Sequence, residues 1–227
     1  MVEQRASAAT EPEAGPPGLR EQLDGLDRAV FRAIAATPTP SLDRAFGALS
    51  RAANHSRLWI ATAALLAASG ASGRRAATDG LVAVAATSAV INLGLKPLGG
   101  RRRPNAAGDR VPAARQVEMP ESTSFPSGHA GSAFAFASAV AKSWTPAAGP
   151  LQALATLVAY SRVHTGVHYP GDVIVGSTVG SVVGPLAAYG MERWRRSRCS
   201  AGRGTSHHRK GQEKRRSDGK RRKKVFS

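Results

Sequence analysis

Ser161–Asp172 reads SRVHTGVHYPGD and separates two charge-free runs, Ser143–Ser161 and Val173–Met191, each long enough to cross a bilayer as a helix. Working outward, three more runs avoid charge: Leu58–Gly73, Gly80–Leu95 and Ala130–Ala141. These fall short of the roughly 20 residues a span requires unless flanking groups lie near the interface. Alanine and glycine dominate all five, and the mean hydropathy of the whole chain is −0.23, which a soluble alanine-rich bundle would also give. Small residues do let membrane helices approach closely. The pattern predicts an all-α fold, a multi-pass transmembrane helical bundle of about five spanning helices.

Upstream of the bundle, Leu23, Leu26, Val30, Phe31 and Ile34 recur at helical spacing, with Asp27, Arg28 and Arg32 between them. Beyond Pro38 and Pro40, Ser41 is placed to cap a second amphipathic helix carrying Leu42, Phe46 and Leu49. Either helix can lie in the membrane interface or pack on the outside of a bundle. The expected divisions are a disordered leader over 1–19, amphipathic interfacial helices over 20–56, a membrane-embedded domain over 57–191 and a basic disordered tail over 192–227. The N-terminal residues are polar and proline-rich and do not resemble a cleaved secretory signal.

The net charge of +17 over 227 residues invites a nucleic-acid reading, but its distribution opposes it. Between Glu192 and Ser227 fifteen Lys and Arg face three acids, so +12 of the +17 lies in the last 36 residues. That tail has no aromatic interleaving for base stacking, and its better partners are water and anionic lipid headgroups. A single cysteine, Cys199, excludes an internal disulfide framework and a thiolate zinc cluster. Arg74 and Arg75 fall in the expected connection between the first two runs, and with the tail they place both of those ends in the cytoplasm by the positive-inside rule. Counting crossings from these anchors puts the connections 96–129 and 162–172 on the same, extracytoplasmic side.

Those two connections hold the chemistry-bearing residues. In the second, His168 has Asp172 four residues on to hold one imidazole nitrogen protonated, and Arg162 adds a fixed cation whose fork matches phosphate oxygens. His164, His168 and Asp172 could instead present metal ligands on one helical face, but Pro170 and Gly171 interrupt that helix. In the first, Lys96 and Arg101–Arg103 make a basic, glycine-containing turn apt for anions. It closes on Pro126-Ser127-Gly128-His129 leading into an apolar helix. Ser127 can N-cap that helix, Gly128 lets backbone approach a ligand, and the helix N-terminus directs N–H groups at an anion beside His129.

Lys96, six residues, Arg103-Pro104; Pro126-Ser127-Gly128-His129; and Ser161-Arg162, five residues, His168, three residues, Asp172 resemble, in order and spacing, the three signature motifs of the type 2 phosphatidic acid phosphatase superfamily. That superfamily includes lipid phosphate phosphatases, soluble bacterial acid phosphatases and vanadium haloperoxidases. The resemblance covers roughly Leu58–Met191. It implies metal-free phosphoester hydrolysis through a phosphohistidine, with no cofactor. His168 would be the nucleophile, Asp172 would fix its tautomer, and His129 would protonate the leaving alkoxide and then activate water. Lys96, Arg103, Ser127, Gly128 and Arg162 would hold the phosphate oxygens. His164 matches no catalytic position and is expected to line the pocket or the interface.

The leading reading is a hydrolase of the cell membrane that removes the terminal phosphate of a lipid phosphate or diphosphate, phosphatidic acid-like or polyprenyl, with its active site extracytoplasmic and its tail cytoplasmic. The alternative is a soluble acid phosphatase or vanadium haloperoxidase using the same anion pocket.

Overall fold

A computed structural model describes residues 18–105, 108–109 and 111–225, with side chains as far as Ser200. The leader expected over 1–19 therefore lies, up to residue 17, outside the described residues. The regular elements of the described chain are all helical: α1 (Leu19–Ala36), α2 (Pro40–Ala52), α3 (Arg57–Ala68), α4 (Ala71–Ala89), a π-helical segment (Val90–Leu95) running into the short α5 (Lys96–Gly99), α6 (Gly128–Ser143), α7 (Ala148–His164) and α8 (Pro170–Val225). Two stretches, Ala71–Gly99 and Pro170–Ser200, are long and apolar enough to cross a membrane.

Several boundaries differ from the expected ones for identifiable reasons. The turn between the first two apolar runs lies at Ser69–Gly70, not at Arg74 and Arg75, which belong to the start of α4. Gly70 takes φ 101°, a backbone conformation that glycine adopts without steric cost. Gly73 follows so close to α3 that a Cβ there would meet the Leu66 carbonyl oxygen at 1.9 Å. Helix α2 starts at Pro40, the first helical position, where proline's missing N–H is no loss, so Thr39 rather than Ser41 occupies the cap. Pro170 likewise begins α8, and Met191 does not end it, since the helix continues past Glu192.

Helix α6 is the centre of the bundle. Its small residues Ala130, Ala133, Ala135, Ala137 and Ala139 are fully buried, and α4, α7 and α8 pack around it. Along α8 the glycines recur every four residues against the α6 backbone. A Cβ at Gly176 would meet the Ser127 oxygen at 2.3 Å, one at Gly180 the Gly131 oxygen at 2.1 Å, and one at Gly184 the Ala135 oxygen at 2.5 Å. Such contact brings α6 and α8 together by backbone approach rather than side-chain interdigitation. A larger core of Trp59, Leu66, Phe136, Val140, Leu151 and Val158 fills the space among α3, α4, α6 and α7.

The helix order carries all the motif residues to one end of this bundle. Lys96 follows α4, Ser127 and His129 open α6, Arg162 lies near the end of α7, and Asp172 lies in the first turn of α8. Glu192 is twenty residues further along α8 than Asp172, which at about 1.5 Å per residue puts the basic end about 30 Å away, the thickness of a bilayer core.

Candidate active site

Helix α7 ends at His164, and a turn with Gly166 at φ 76° swings the chain back so that the Val167 and His168 amides both donate to the Arg162 carbonyl at 3.1 Å. This turn faces His168 into the bundle end. Its Nδ1 lies 3.4 Å from Asp172 Oδ2 and 3.5 Å from Ser124 Oγ, and its Nε2 lies 3.1 Å from Arg103 Nη1. Asp172 is fully buried. Its Oδ2 accepts from Ser124 Oγ and from the Tyr169 amide, and its Oδ1 from Arg101. A carboxylate on the Nδ1 side holds the hydrogen there and leaves the Nε2 lone pair directed at the cation. Burial, opposed by Asp172 but reinforced by the charges of Arg103 and Arg162, pushes the imidazole down to about 4, so His168 is neutral at physiological pH.

Arg103 is held by its surroundings without neutralisation. It donates to the carbonyls of Ser122 and Val167, both at 2.9 Å, and to that of Thr123 at 3.3 Å, while Lys96 Nζ shares Ser122 Oγ at 3.0 Å. Burial pushes the Arg103 guanidinium down, with Asp172 opposing. Arg162 is 1 % exposed and bonds only through Nη1, to Ser50 Oγ at 2.5 Å and Ser50 O at 3.3 Å; its buried Nε has no protein partner.

Ser127 caps α6 by accepting from the Ala130 amide at 3.4 Å, and its own amide donates to the Asp172 carbonyl at 2.9 Å, which pins the start of α6 to the start of α8. Next to it, a Cβ built on Gly128 would meet nothing within 4 Å, leaving open space in front of the helix N-terminus. His129 Nε2 lies 3.0 Å from Asn54 Oδ1; an amide oxygen only accepts, so Nε2 carries the hydrogen. Burial, and after it the nearby cations Arg162, Arg103 and Lys96, push the His129 imidazole down, which gathers the three motifs around one site.

His164 does not line this pocket. It faces α2, with Nε2 3.1 Å from Asp43 Oδ1 and its ring against Phe46 and Tyr160, and Asp43 also accepts from Arg115 Nε at 2.8 Å. His164 thus pairs with Asp43 while His168 and Asp172 pair with each other, and no group of three metal-binding side chains occurs among the described residues. Sequence reasoning missed Ser50, Asn54, Arg101, Ser122 and Ser124. Only Arg101 carried a signal, as part of the basic turn.

A family model of the PAP2 superfamily matches residues 76–196. Over 94 residues the chain is 40% identical to a protein named decaprenylphosphoryl-5-phosphoribose phosphatase from two strains of Mycobacterium tuberculosis, CDC 1551 / Oshkosh and H37Rv, a match covering 40% of this chain and 49% of that protein. The chain therefore spans about half the length of the curated relatives it matches. Its fold is similar to that of a transmembrane PAP2-type phosphatidylglycerolphosphate phosphatase from Bacillus subtilis, with a TM-score of 0.60 at 22% identity over 76% of this chain and 87% of that one. It is also similar to LpxE from Aquifex aeolicus, with a TM-score of 0.58 at 24% identity over 71% and 94% of the two chains.

Proposed function

Because the chain belongs to the PAP2 superfamily, we propose that it is a membrane phosphatase that cleaves the terminal phosphate of a lipid phosphate or diphosphate through a phosphohistidine. The observation that carries this reading is the two-sided setting of His168, with Asp172 on Nδ1 and Arg103 3.1 Å from Nε2. Nε2 attacks phosphorus as the ester P–O bond breaks, and His129 gives its proton to the departing alkoxide. His129 then takes a proton from water, whose oxygen attacks phosphorus; the P–N bond breaks and the electron pair returns to Nε2. Lys96, Arg103 and Arg162, with Ser127 and the Gly128 amide, hold the non-bridging oxygens as their charge redistributes. The unpartnered Arg162 Nε supports this, being a buried donor that an anion would satisfy.

The relative's name points to a polyprenyl-linked phosphate as one substrate class to test. Purified protein assayed for phosphate release from polyprenyl monophosphates, polyprenyl diphosphates and phosphatidic acid, each with EDTA present, tests the reading. Turnover of at least one lipid that survives chelation is expected; turnover that requires added zinc or magnesium would contradict it.

The sidedness is proposed from charge. Arg74, Arg75 and the tail lie at the end away from Lys96 and His168, so the catalytic end faces outward. In a Cys199→Ser background, Ala113→Cys should label in intact cells with an impermeant thiol reagent, whereas native Cys199 should label only after lysis. The reverse pattern would place the site in the cytoplasm.

A further inference from the structure

Arg101 lies outside the motif positions, yet one guanidinium joins the catalytic carboxylate to the N-terminal helix. Its Nη1 donates to Asp172 Oδ1 at 3.0 Å and to Asp27 Oδ2 at 2.6 Å, and its Nη2 to Asp24 Oδ1 at 2.7 Å. The guanidinium carbon lies 4.3 Å from the centroid of the Tyr169 ring, so stacking fixes its plane. Asp27 Oδ1 also accepts from the Gly171 amide at 2.7 Å, which holds the turn bearing Asp172 to α1 a second time. The bonds to Asp172 are divided: Oδ2 takes Ser124, the Tyr169 amide and the His168 side, whereas Oδ1 takes Arg101. Arg101 thereby sets the rotation of the carboxylate that orients His168.

The other face of α1 is apolar and uncovered. Leu19, Leu23, Leu26 and Val30 recur at helical spacing and are 74%, 57%, 62% and 40% exposed, while Phe31 and Ala35 turn inward. Arg20, Arg28 and Arg32 occupy the other faces of the same helix, so α1 is amphipathic in the manner of a helix lying in the lipid–water interface. The occupant is identified by position. Leu98, in the same basic turn as Arg101, is 85% exposed, and Ile174, two residues beyond Asp172, is 65% exposed, so the apolar surface continues at the catalytic end. We propose that α1 seats its leucine stripe in the lipid surface at the catalytic end, and that Arg101, as a positioning residue, carries that seating to Asp172. This rests on the reading of the site as a phosphatase acting at a membrane.

Full-length protein in vesicles tests both halves. Leu23→Cys in the Cys199→Ser background, carrying an environment-sensitive fluorophore, should be quenched by brominated phospholipid, a readout independent of catalysis; absence of quenching overturns the seating. Leu23→Ser with Leu26→Ser should lower the ratio of turnover on vesicle-borne lipid phosphate to turnover on a short-chain soluble phosphate ester by about tenfold. An unchanged ratio overturns the seating, and if it comes with loss of a dimer in sedimentation, the stripe is a contact between two copies instead. Arg101→Gln should lower kcat by about a hundredfold with KM nearly constant, and Arg101→Lys should recover part of it. A loss carried wholly by KM, or no rescue by lysine, overturns the role of Arg101. A wild-type protein that hydrolyses neither ester while its labelled Leu23→Cys form is quenched would sink the phosphatase reading and leave the seating intact.

Discussion

Two buried clusters, centred four residues apart on His164 and His168, contain the same three residue types, and only one of them is open. In the first, Arg115 is fully buried and saturated: Nε bonds Asp43, Nη1 the Ile34 carbonyl, and Nη2 the Thr37 carbonyl and Thr39 Oγ1 at 3.0 Å. Asp43 is shared in turn by Arg115, His164 and Thr39, so each charge has its counter-charge within the protein. Around His168 the balance is deliberately uneven. Lys96, Arg103 and Arg162 converge, the nearby Asp172 is taken by His168, Ser124 and Arg101, and Arg162 keeps a donor unspent. An arginine, a histidine and an aspartate make a structural tie when their charges are matched within the protein, even though His164 Nδ1 is left without a partner. They make an anion site when the cations exceed what the protein satisfies.

The sharpest way to break this comparison is to remove each histidine. His168→Ala should lose about four orders of magnitude in turnover, since a covalent route loses its nucleophile, whereas His164→Ala should retain turnover within about tenfold. Phosphate release by the two variants at equal folded concentration decides it, and similar losses would erase the distinction. The next effect is on stability. Arg115→Met leaves the Asp43 carboxylate buried without its cation and should cost about 3–5 kcal/mol, read as a lowered thermal midpoint in detergent. A variant as stable as wild type would show that the closed cluster is not a tie.

The smallest effect concerns protons. Burial and the two arginines favour neutral imidazole at His168, so a histidine-selective 15N NMR titration should find it neutral at pH 6 and protonating only near about 4. Folded-state depression of a histidine adds stability above the ordinary imidazole range and loses it as pH falls toward 4. Arg103→Gln removes a cation and should move this titration upward. A downward move would mean that Arg103 does not bear on His168.

Much of the site was legible because its residues come in short, ordered motifs at helix ends, where apolar runs stop. The all-helical fold followed from the same runs. The supporting contacts were not legible, since Ser50 and Asn54 lie 112 and 75 residues from the Arg162 and His129 they hold. On the sequence they sit in or beside an amphipathic helix, where a polar residue reads as a solvated face. Asp24, Asp27 and Asp43 were hidden in the same way: α1 and α2 turn acids inward toward arginines and, in α1, leucines outward. The α3–α4 turn was misplaced because two arginines mark a loop less reliably than a glycine at positive φ.

The glycine ladder of α8 gives the catalytic spacing an origin remote from the chemistry. His129 rides on α6 and Asp172, which holds His168, on α8, so the reach between the proposed acid and the proposed nucleophile is a matter of how far one rod has slid along the other. Gly176, Gly180 and Gly184 act as a vernier, each closing on a different α6 oxygen. A slip by one helical turn, about 5.4 Å, would carry His129, the proposed proton donor, beyond hydrogen-bond range of a phosphate at His168. Transplanting the three motifs to another bundle would therefore require carrying along three positions that contribute no side chain at all.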